Sequence, residues 1–282
     1  MKKIIKHSQA LFFVLSIVLL LAGCGTGQPA SSTSSTTQNE ASSQDTSKKA
    51  ETVDLTISAA ASLTDALQEI QTLYESSHQG IKLNFNFGGS GALEKQIEQG
   101  APSDLFLSAS KKNMKSLVDQ QLIESNQQKT WLTNELVAVI PADGTASITS
   151  VKDLTKSEVK KVAIGIPESV PAGKYAQEAL TNVKLWDVLQ DKLVQAKDVR
   201  QVLQYVETGN ADVGFVYKTD ALTSQKAKIA FEVDPKTYST AEYPIGIIKA
   251  SKHIQEAESF YEYLQSQESL NIMAKYGFTI PK

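Results

Sequence analysis

The sequence from Val53 onward predicts an α/β fold with largely parallel sheets. Strand-like and helix-like segments alternate along this part of the 282-residue chain. Several strands show period-two hydrophobicity, and several helices carry apolar residues at helical spacing. Small or turn-forming residues lead into four of the helices. Alternation of this kind is typical of α/β architecture with right-handed crossovers.

The first strand and the first helix meet in the stretch "VDLTISAAASLTDALQEI", residues 53–70. After Ser62, apolar residues recur at helical spacing, which predicts an amphipathic helix that starts there. Ser62 stands where an N-cap belongs, with Asp65 three residues later in a near capping-box arrangement. An ordinary cap would account for this serine. A contact between the open helix end and a ligand is the alternative.

The following segments continue the alternation. "IKLNFNF" predicts a strand, "GGSGALEKQIEQG" a short helix closed by Gly100, "DLFLSA" a strand and "SKKNMKSLVDQ" a helix. "NELVAVIP" and "KVAIGIP" predict strands, and "PAGKYAQEAL" and "DVRQVLQYVETG" predict helices. "ADVGFVY", "KIAFEV" and "YPIGII" predict further strands, and two helical stretches follow between residues 253 and 275.

The N-terminus has the order of a bacterial export signal. Three lysines precede an apolar run that ends in "LAGC", and Cys24 is the only cysteine of the chain. "LAGC" resembles the lipobox of bacterial lipoproteins, which implies cleavage after residues 1–23 and lipid attachment to the Cys24 sulfur. An ordinary signal peptide with an incidental cysteine is the alternative. Cleavage would lower the formal net charge from −3 to −6, because the three lysines leave.

Residues 24–52 are rich in Ser, Thr and Gln and have almost no apolar side chains. Such a segment cannot offset the entropy of ordering, so we expect a flexible tether between a membrane and the folded part. The folded part has no basic run, and its charge balance makes nucleic acid an unsuitable partner.

The four helix starts "AAAS", "GGSG", "VPAG" and "AKDV" share one property. Helix N-termini present unpaired N–H groups and a partial positive charge, and small residues let an anion approach them. None of these loop cores holds an Arg, or an Asp or Glu placed to accept a proton, although Lys174 and Asp198 lie beside them. Neutral donors suit a fully deprotonated tetrahedral dianion, either sulfate-like or molybdate-like.

The motifs "AAASLTDALQEI", "GGSGALEKQIEQGAPSDLFLSAS", "VPAGKYAQEAL", "DVRQVLQYVETGNADVGFVY" and "YGFTI" resemble the molybdate-binding proteins of bacterial ABC transporters. The resemblance runs from about Val53 to the C-terminus. It implies a type II periplasmic-binding-protein fold, in which two α/β lobes are joined by two crossing segments and the ligand lies in the cleft. Residues 53–134 with 249–282 are expected to form lobe I, and residues 135–248 lobe II.

The resemblance also implies the residues that hold the oxyanion. By motif these are Ser62, Ser90, Ala172, Val199 and Tyr217. The side chain of Val199 continues an apolar series, so only its N–H is expected to take part. Many relatives have a serine-rich run where this chain has "GGSGA". Gly89, Gly91 and Ala92 therefore lack hydroxyls, although the glycines still permit close backbone approach.

Two other classes of function are weighed against the receptor. A serine hydrolase is disfavoured because "GGSGA" departs from G-x-S-x-G at Ala92, and neither His78 nor His253 has a partner motif. No metal-binding or nucleotide-binding motif is present in the sequence. A surface adhesin would share the anchor and the tether but would not predict several donor loops at helix starts. A receptor for another oxyanion, such as sulfate or phosphate, is the closest rival.

The resemblance therefore predicts a non-enzymatic, substrate-binding lipoprotein of an ABC importer. Its ligand would be molybdate or tungstate as cargo, with no cofactor and no side chain acting as a direct metal-cation ligand. Its partners would be an ABC permease, the ATPase reached through that permease, and the membrane through lipid on Cys24. The protein is expected to be a monomer on the outer face of the cell membrane.

Overall fold

The computed structural model describes residues 52–145 and 147–281. The predicted signal segment 1–23, Cys24 and all of the tether 24–52 except its last residue lie outside the described residues.

The described residues form strands and helices in close alternation, which confirms the α/β prediction. The strands are β1 (Val53–Ala60), β2 (Ile81–Gly88), β3 (Leu105–Leu107), β4 (Ile123–Asn134), β5 (Leu136–Pro141), β6 (Val162–Gly165), β7 (Leu193–Ala196), β8 (Val213–Tyr217), β9 (Ala227–Glu232) and β10 (Ala241–Ile248). The α-helices are α1 (Thr64–Ser77), α2 (Ser90–Glu98), α3 (Lys111–Asp119), α4 (Pro171–Asn182), α5 (Val199–Glu207), α6 (Lys218–Leu222), α7 (Ile254–Tyr263) and α8 (Gln267–Lys275). Short 3₁₀ helices cover Ala61–Leu63, Val151–Thr155, Asp187–Lys192 and Pro235–Thr237.

The strands form two five-stranded sheets, one in each lobe. The first sheet has the order β2-β1-β3-β10-β4 and the second has the order β7-β6-β8-β5-β9. In each sheet two strand pairs are parallel and two are antiparallel. The prediction of largely parallel sheets is therefore wrong in this respect. Strands that enter a sheet directly from a crossing, without a helical crossover, run against their neighbours.

The lobe boundaries follow from the strand order. The chain leaves the first sheet between Asn134 and Leu136, and it returns through the segment between β9 and β10. β10 pairs with β3 and β4, with Ile245 opposite Leu107 and Ala241 opposite Asn134. The prediction that lobe II extends to residue 248 is therefore wrong, because β10 belongs to the sheet of lobe I. Period-two hydrophobicity identifies a strand but does not say which sheet it joins.

The long edge strand β4 was not predicted. Its sequence, "IESNQQKTWLTN", is mostly polar because much of the strand is exposed at the edge of the first sheet. Buried aliphatic side chains of both sheets and the inner helix faces form the core, and Trp131 anchors the end of β4 by donating its indole N–H to the Leu264 carbonyl at 2.8 Å. Over residues 52–145 and 147–281, no helix combines the length and the hydropathy needed to cross a bilayer.

Candidate functional site

Ser62 lies between β1 and α1, in the short 3₁₀ helix that joins them. The α-helix begins at Thr64, and Leu63 occupies its cap position without a side-chain cap bond. The cap interpretation of Ser62 and Asp65, one of the two alternatives that the sequence left open, is therefore wrong. The 3₁₀ turn instead places the Ser62 hydroxyl 2.8 Å from the hydroxyl of Tyr243 on β10, in a buried position. Ser62 fits the sequence pattern of a helix cap, but its hydroxyl instead contacts Tyr243.

Ser90 is the first residue of α2 and is fully buried. Its Oγ accepts a hydrogen bond from the backbone N–H of Ala109 at 2.9 Å. Because this donor is a backbone amide, the bond has only one direction, and the Ser90 proton is left to point elsewhere. The preceding Gly89 occupies the cap position in an extended conformation. The predicted helix end is also confirmed, since Gly100 has a φ of +84° just after α2.

Two glycines beside Ser90 bring the lobes into backbone contact. The Gly91 N–H donates to the Ser169 carbonyl of lobe II at 2.9 Å. A Cβ on Gly91 would lie 2.9 Å from the Ser169 Cα, and one on Gly89 would lie 2.8 Å from the Ser169 oxygen. A serine in place of Gly89 or Gly91 would therefore collide with the Ser169 backbone. Glycine at these positions permits the lobes to close this far.

Lobe II contributes the remaining three predicted residues. Ala172 is the second residue of α4, and Val199 is the first residue of α5, where Asp198 caps the helix by accepting from the Gln201 N–H at 2.8 Å. Tyr217 ends β8 and is almost completely buried. Its hydroxyl has no hydrogen-bond partner within the described part of the chain. Burial holds the pKa of this phenol well above its ordinary value, so the group stays protonated and can donate.

The structure brings all five predicted residues together around one cavity. Ser62 and Ser90 come from lobe I, and Ala172, Val199 and Tyr217 come from lobe II. The cavity is small and partly open, and about 10 Å³ of it can hold the centre of a water-sized sphere. Its lining contains no charged side chain, and the three helices that begin at it supply first-turn N–H groups without intrahelical partners. Across residues 52–145 and 147–281, no three His, Cys, Asp or Glu lie close enough together to bind a metal ion.

An ion-pair cluster spans the lobes beside the cavity. Arg200, next to Val199, pairs with Asp65 of lobe I and lies 2.7 Å from the buried carboxylate of Asp220 in lobe II. Asp220 also accepts from the backbone N–H of Tyr217 at 3.3 Å. Burial raises the pKa of Asp220 to about 6, although the Arg200 charge acts in the opposite direction. The cluster therefore links Asp65, in the first turn of α1, through Arg200 and Asp220 to the backbone of Tyr217.

Sequence reasoning missed Tyr243, Asn134 and Arg200. Tyr243 touches Ser62 across 181 positions in the sequence, so no local pattern could have paired them. Arg200 was visible inside the "DVR" motif, but its partners lie in two other helices.

A family model described as "Bacterial extracellular solute-binding protein" matches residues 55–279. The chain belongs to this family. The type II periplasmic-binding-protein fold expected from the resemblance is confirmed. The family's proteins bind solutes, which agrees with a cavity enclosed between two lobes.

Three similar proteins carry more specific names. The chain is 51% identical over 265 residues to a putative ABC transporter substrate-binding lipoprotein, YvgL, of Bacillus subtilis, covering 94% of this chain and 95% of the relative. It is 38% identical over 231 residues to the molybdate-binding protein ModA of Haemophilus influenzae, covering 80% and 89%. A solved structure, the substrate-binding domain of a putative molybdenum ABC transporter from Clostridium difficile, is 48% identical with a TM-score of 0.62, covering 81% of this chain and 99% of that one.

Proposed function

We propose that this chain is the substrate-binding lipoprotein of an ABC importer and that it captures molybdate, and also tungstate, between its two lobes. The observation that carries the proposal is the cavity in which two serines, Tyr217 and the first turns of three helices meet. The names of the similar proteins support the same conclusion, since they include a molybdate-binding protein and a molybdenum transporter domain.

The chemistry of the cavity suits a dianion without protons. The helices α2, α4 and α5 direct the positive ends of their dipoles at it, and the hydroxyls of Ser62, Ser90 and Tyr217 add neutral donors. A ligand that carries a proton, such as hydrogen phosphate, would need an acceptor, and leaving its proton unpaired costs roughly 1–3 kcal/mol. Sulfate is also a tetrahedral dianion, so selection against it would come from the size of the cavity.

Delivery would follow from the same architecture. The loaded and closed protein would dock as a monomer on the ABC permease, which passes the anion inward with energy from its ATPase. Lipid on Cys24 would hold the receptor at the outer face of the cell membrane, with residues 24–52 as the tether. Catalysis and a resident cofactor are not part of the proposal, because molybdate is the cargo.

Calorimetric titration of the full chain, purified in detergent, tests this function. Molybdate and tungstate are expected to bind one to one, whereas sulfate and phosphate give no saturable heat. Ser62→Ala and Ser90→Ala should each weaken molybdate binding about 10-fold or more, because each removes a hydrogen bond to a charged ligand. Ser76→Ala, at the exposed end of α1, is the matched control. Unchanged affinity in both cavity variants would contradict the site, and equally tight sulfate binding would contradict the ligand.

A further inference from the structure

A buried chain of polar side chains leads from lobe II to Ser62. Thr219 on α6, Asn134 at the first crossing, Tyr243 on β10 and Ser62 are each at most 7% exposed. The Asn134 Nδ2 donates to Thr219 Oγ1 at 2.8 Å and to Tyr243 Oη at 3.3 Å. Tyr243 Oη lies 2.8 Å from Ser62 Oγ. The cavity serine is therefore connected through hydrogen bonds to the crossing between the lobes.

The first hydrogen bonds of this series, those made by Asn134, have a definite donor and acceptor. The Asn134 Oδ1 accepts from the Glu135 N–H at 2.9 Å, which fixes the amide so that its NH₂ group faces Thr219 and Tyr243. An amide NH₂ group can only donate, so Tyr243 Oη accepts from Asn134. The backbone N–H of Glu135 thus determines that Asn134 is the donor and Tyr243 the acceptor in their hydrogen bond.

The hydroxyl proton of Tyr243 then has Ser62 Oγ as its acceptor. Burial holds the pKa of this phenol well above its ordinary value, so it keeps its proton. Ser62 Oγ, 2.8 Å away, is the hydroxyl with which Tyr243 Oη makes a hydrogen bond, whereas the neighbouring Tyr217 hydroxyl makes none with the described residues. With an oxyanion in the cavity, donation from Tyr243 to Ser62 pairs both protons, because Ser62 then donates to the anion. The reverse direction would leave the buried Tyr243 O–H unpaired, at a cost of roughly 1–3 kcal/mol. The Ser62 hydroxyl therefore accepts from Tyr243, and its own proton turns toward the cavity.

We propose that Tyr243 and Asn134 are positioning residues that fix the Ser62 hydroxyl as a donor to the bound oxyanion. Ser90 accepts from the Ala109 N–H in the same way, so its proton is also left to point into the cavity. The inference rests on the proposed function only in taking the occupant of the cavity to be an oxyanion. It adds the residues that orient the Ser62 proton toward the ligand.

The test is a double-mutant cycle on the full chain, with molybdate as the probe. Tyr243→Phe should weaken binding about 5- to 10-fold, because the Ser62 hydroxyl loses the bond that orients it. In a Ser62→Ala background the same change should weaken binding less than twofold, since the phenol no longer acts on a ligand contact. Tyr74→Phe is the matched control, because it removes a part-buried hydroxyl that donates to Ser259 within lobe I, away from the cavity.

Equal weakening in both backgrounds would overturn the proposal, because Tyr243 would then act through the shape of the cavity. A loss below twofold in the wild-type background would also overturn it. If Tyr243→Phe does not unfold cooperatively, Asn134→Ala completes the same cycle.

The thermal unfolding midpoint without ligand gives a second reading of the cycle. Tyr243→Phe should lower Tm less in the Ser62→Ala background than in the wild type, and additive changes would overturn the proposed hydrogen bond. This reading also separates two failures. If the wild type binds none of the four oxyanions, the proposed function is refuted, while the Tm cycle still decides whether Tyr243 acts on Ser62.

Discussion

Gly91→Ala is a substitution that should act on closure of the lobes rather than on either lobe alone. Gly91 lies in the first turn of α2, where alanine is well tolerated by the helix itself. Its added Cβ would lie 2.9 Å from the Cα, 3.0 Å from the oxygen and 3.2 Å from the carbonyl carbon of Ser169. All three atoms belong to the backbone of lobe II, so no flexible side chain can move aside. The strain disappears only if the lobes separate by a few tenths of an ångström.

The size of the effect follows from the state in which the strain occurs. Overpacking of this kind costs about 1–3 kcal/mol. The closed state bears that cost and an open state does not, so the cost is subtracted from the binding free energy of any ligand that requires closure. At about 1.4 kcal/mol per tenfold, molybdate binding should weaken about 5- to 150-fold. The Tm measured without ligand should stay within about 2 °C, because each lobe keeps its own packing.

Calorimetry with molybdate and thermal unfolding without it measure the two quantities separately. Gly173→Ala is the contrasting variant, because its Cβ would lie 2.0 Å from the Gly165 oxygen inside lobe II. That collision cannot be relieved by opening, so this variant should lose Tm even without ligand. The reasoning is refuted if Gly91→Ala binds molybdate within twofold of the wild type, or if its unliganded Tm falls as far as that of Gly173→Ala.

Three further substitutions test the neighbouring contacts. Tyr217→Phe should weaken molybdate binding about 10- to 100-fold by calorimetry without lowering the unliganded Tm, because its buried hydroxyl bonds no described group; a lower Tm with intact binding would contradict this. Asp65→Asn should weaken binding about 2- to 5-fold at low salt and less at high salt, since it removes a partly exposed ion pair across the lobes, with Asp119→Asn on α3 as the control. Asp220→Asn tests pH dependence. The folded pKa of Asp220 is about 6, above the ordinary 3.8, so between these pH values the folded protein binds a proton that the unfolded chain does not. This proton uptake stabilises the folded wild type at low pH, and the stabilisation is lost as pH rises through about 6. At pH 5 the stabilisation amounts to about 1.4 kcal/mol. Lowering the pH from 7 to 5 should therefore shift Tm by about 3–5 °C in favour of the wild type over Asp220→Asn. Parallel pH profiles of Tm for the two proteins would contradict the raised pKa of Asp220.

The sequence predicted the parts of this molecule that local patterns describe. Period-two strands, amphipathic helices and small residues at helix starts are short-range features, and they led to the α/β class and to four donor loops. The resemblance supplied Tyr217, which by itself reads as a packing residue at the end of an apolar strand. The edge strand β4 escaped because much of its surface faces solvent, so its sequence lacks the apolar alternation of a half-buried strand.

The relations between distant elements could not be predicted in this way. β10 reads as a strand in either lobe, and only its pairing with β3 and β4 assigns it to lobe I. Gly89 and Gly91 suggested close approach of a backbone to an anion, whereas the structure also gives them the Ser169 backbone as a neighbour. The contact between Ser62 and Tyr243 depends on how β10 is inserted between β3 and β4. Each of these facts depends on where two elements meet, and that information is spread over the whole chain.

These contacts imply that anion capture and lobe closure are one event. With the lobes closed, the Tyr217 hydroxyl is buried and has no partner among the described residues, which costs free energy unless a ligand supplies an acceptor. Direct contacts such as the bond from Gly91 to Ser169 and the pair of Arg200 with Asp65 offset only part of that cost, because both partners can be hydrated when the lobes are open. An oxyanion supplies acceptors to both lobes at once. Closure should therefore be favourable chiefly when the ligand is present, and a permease that recognises the closed shape would distinguish loaded receptor from empty receptor without contacting the anion.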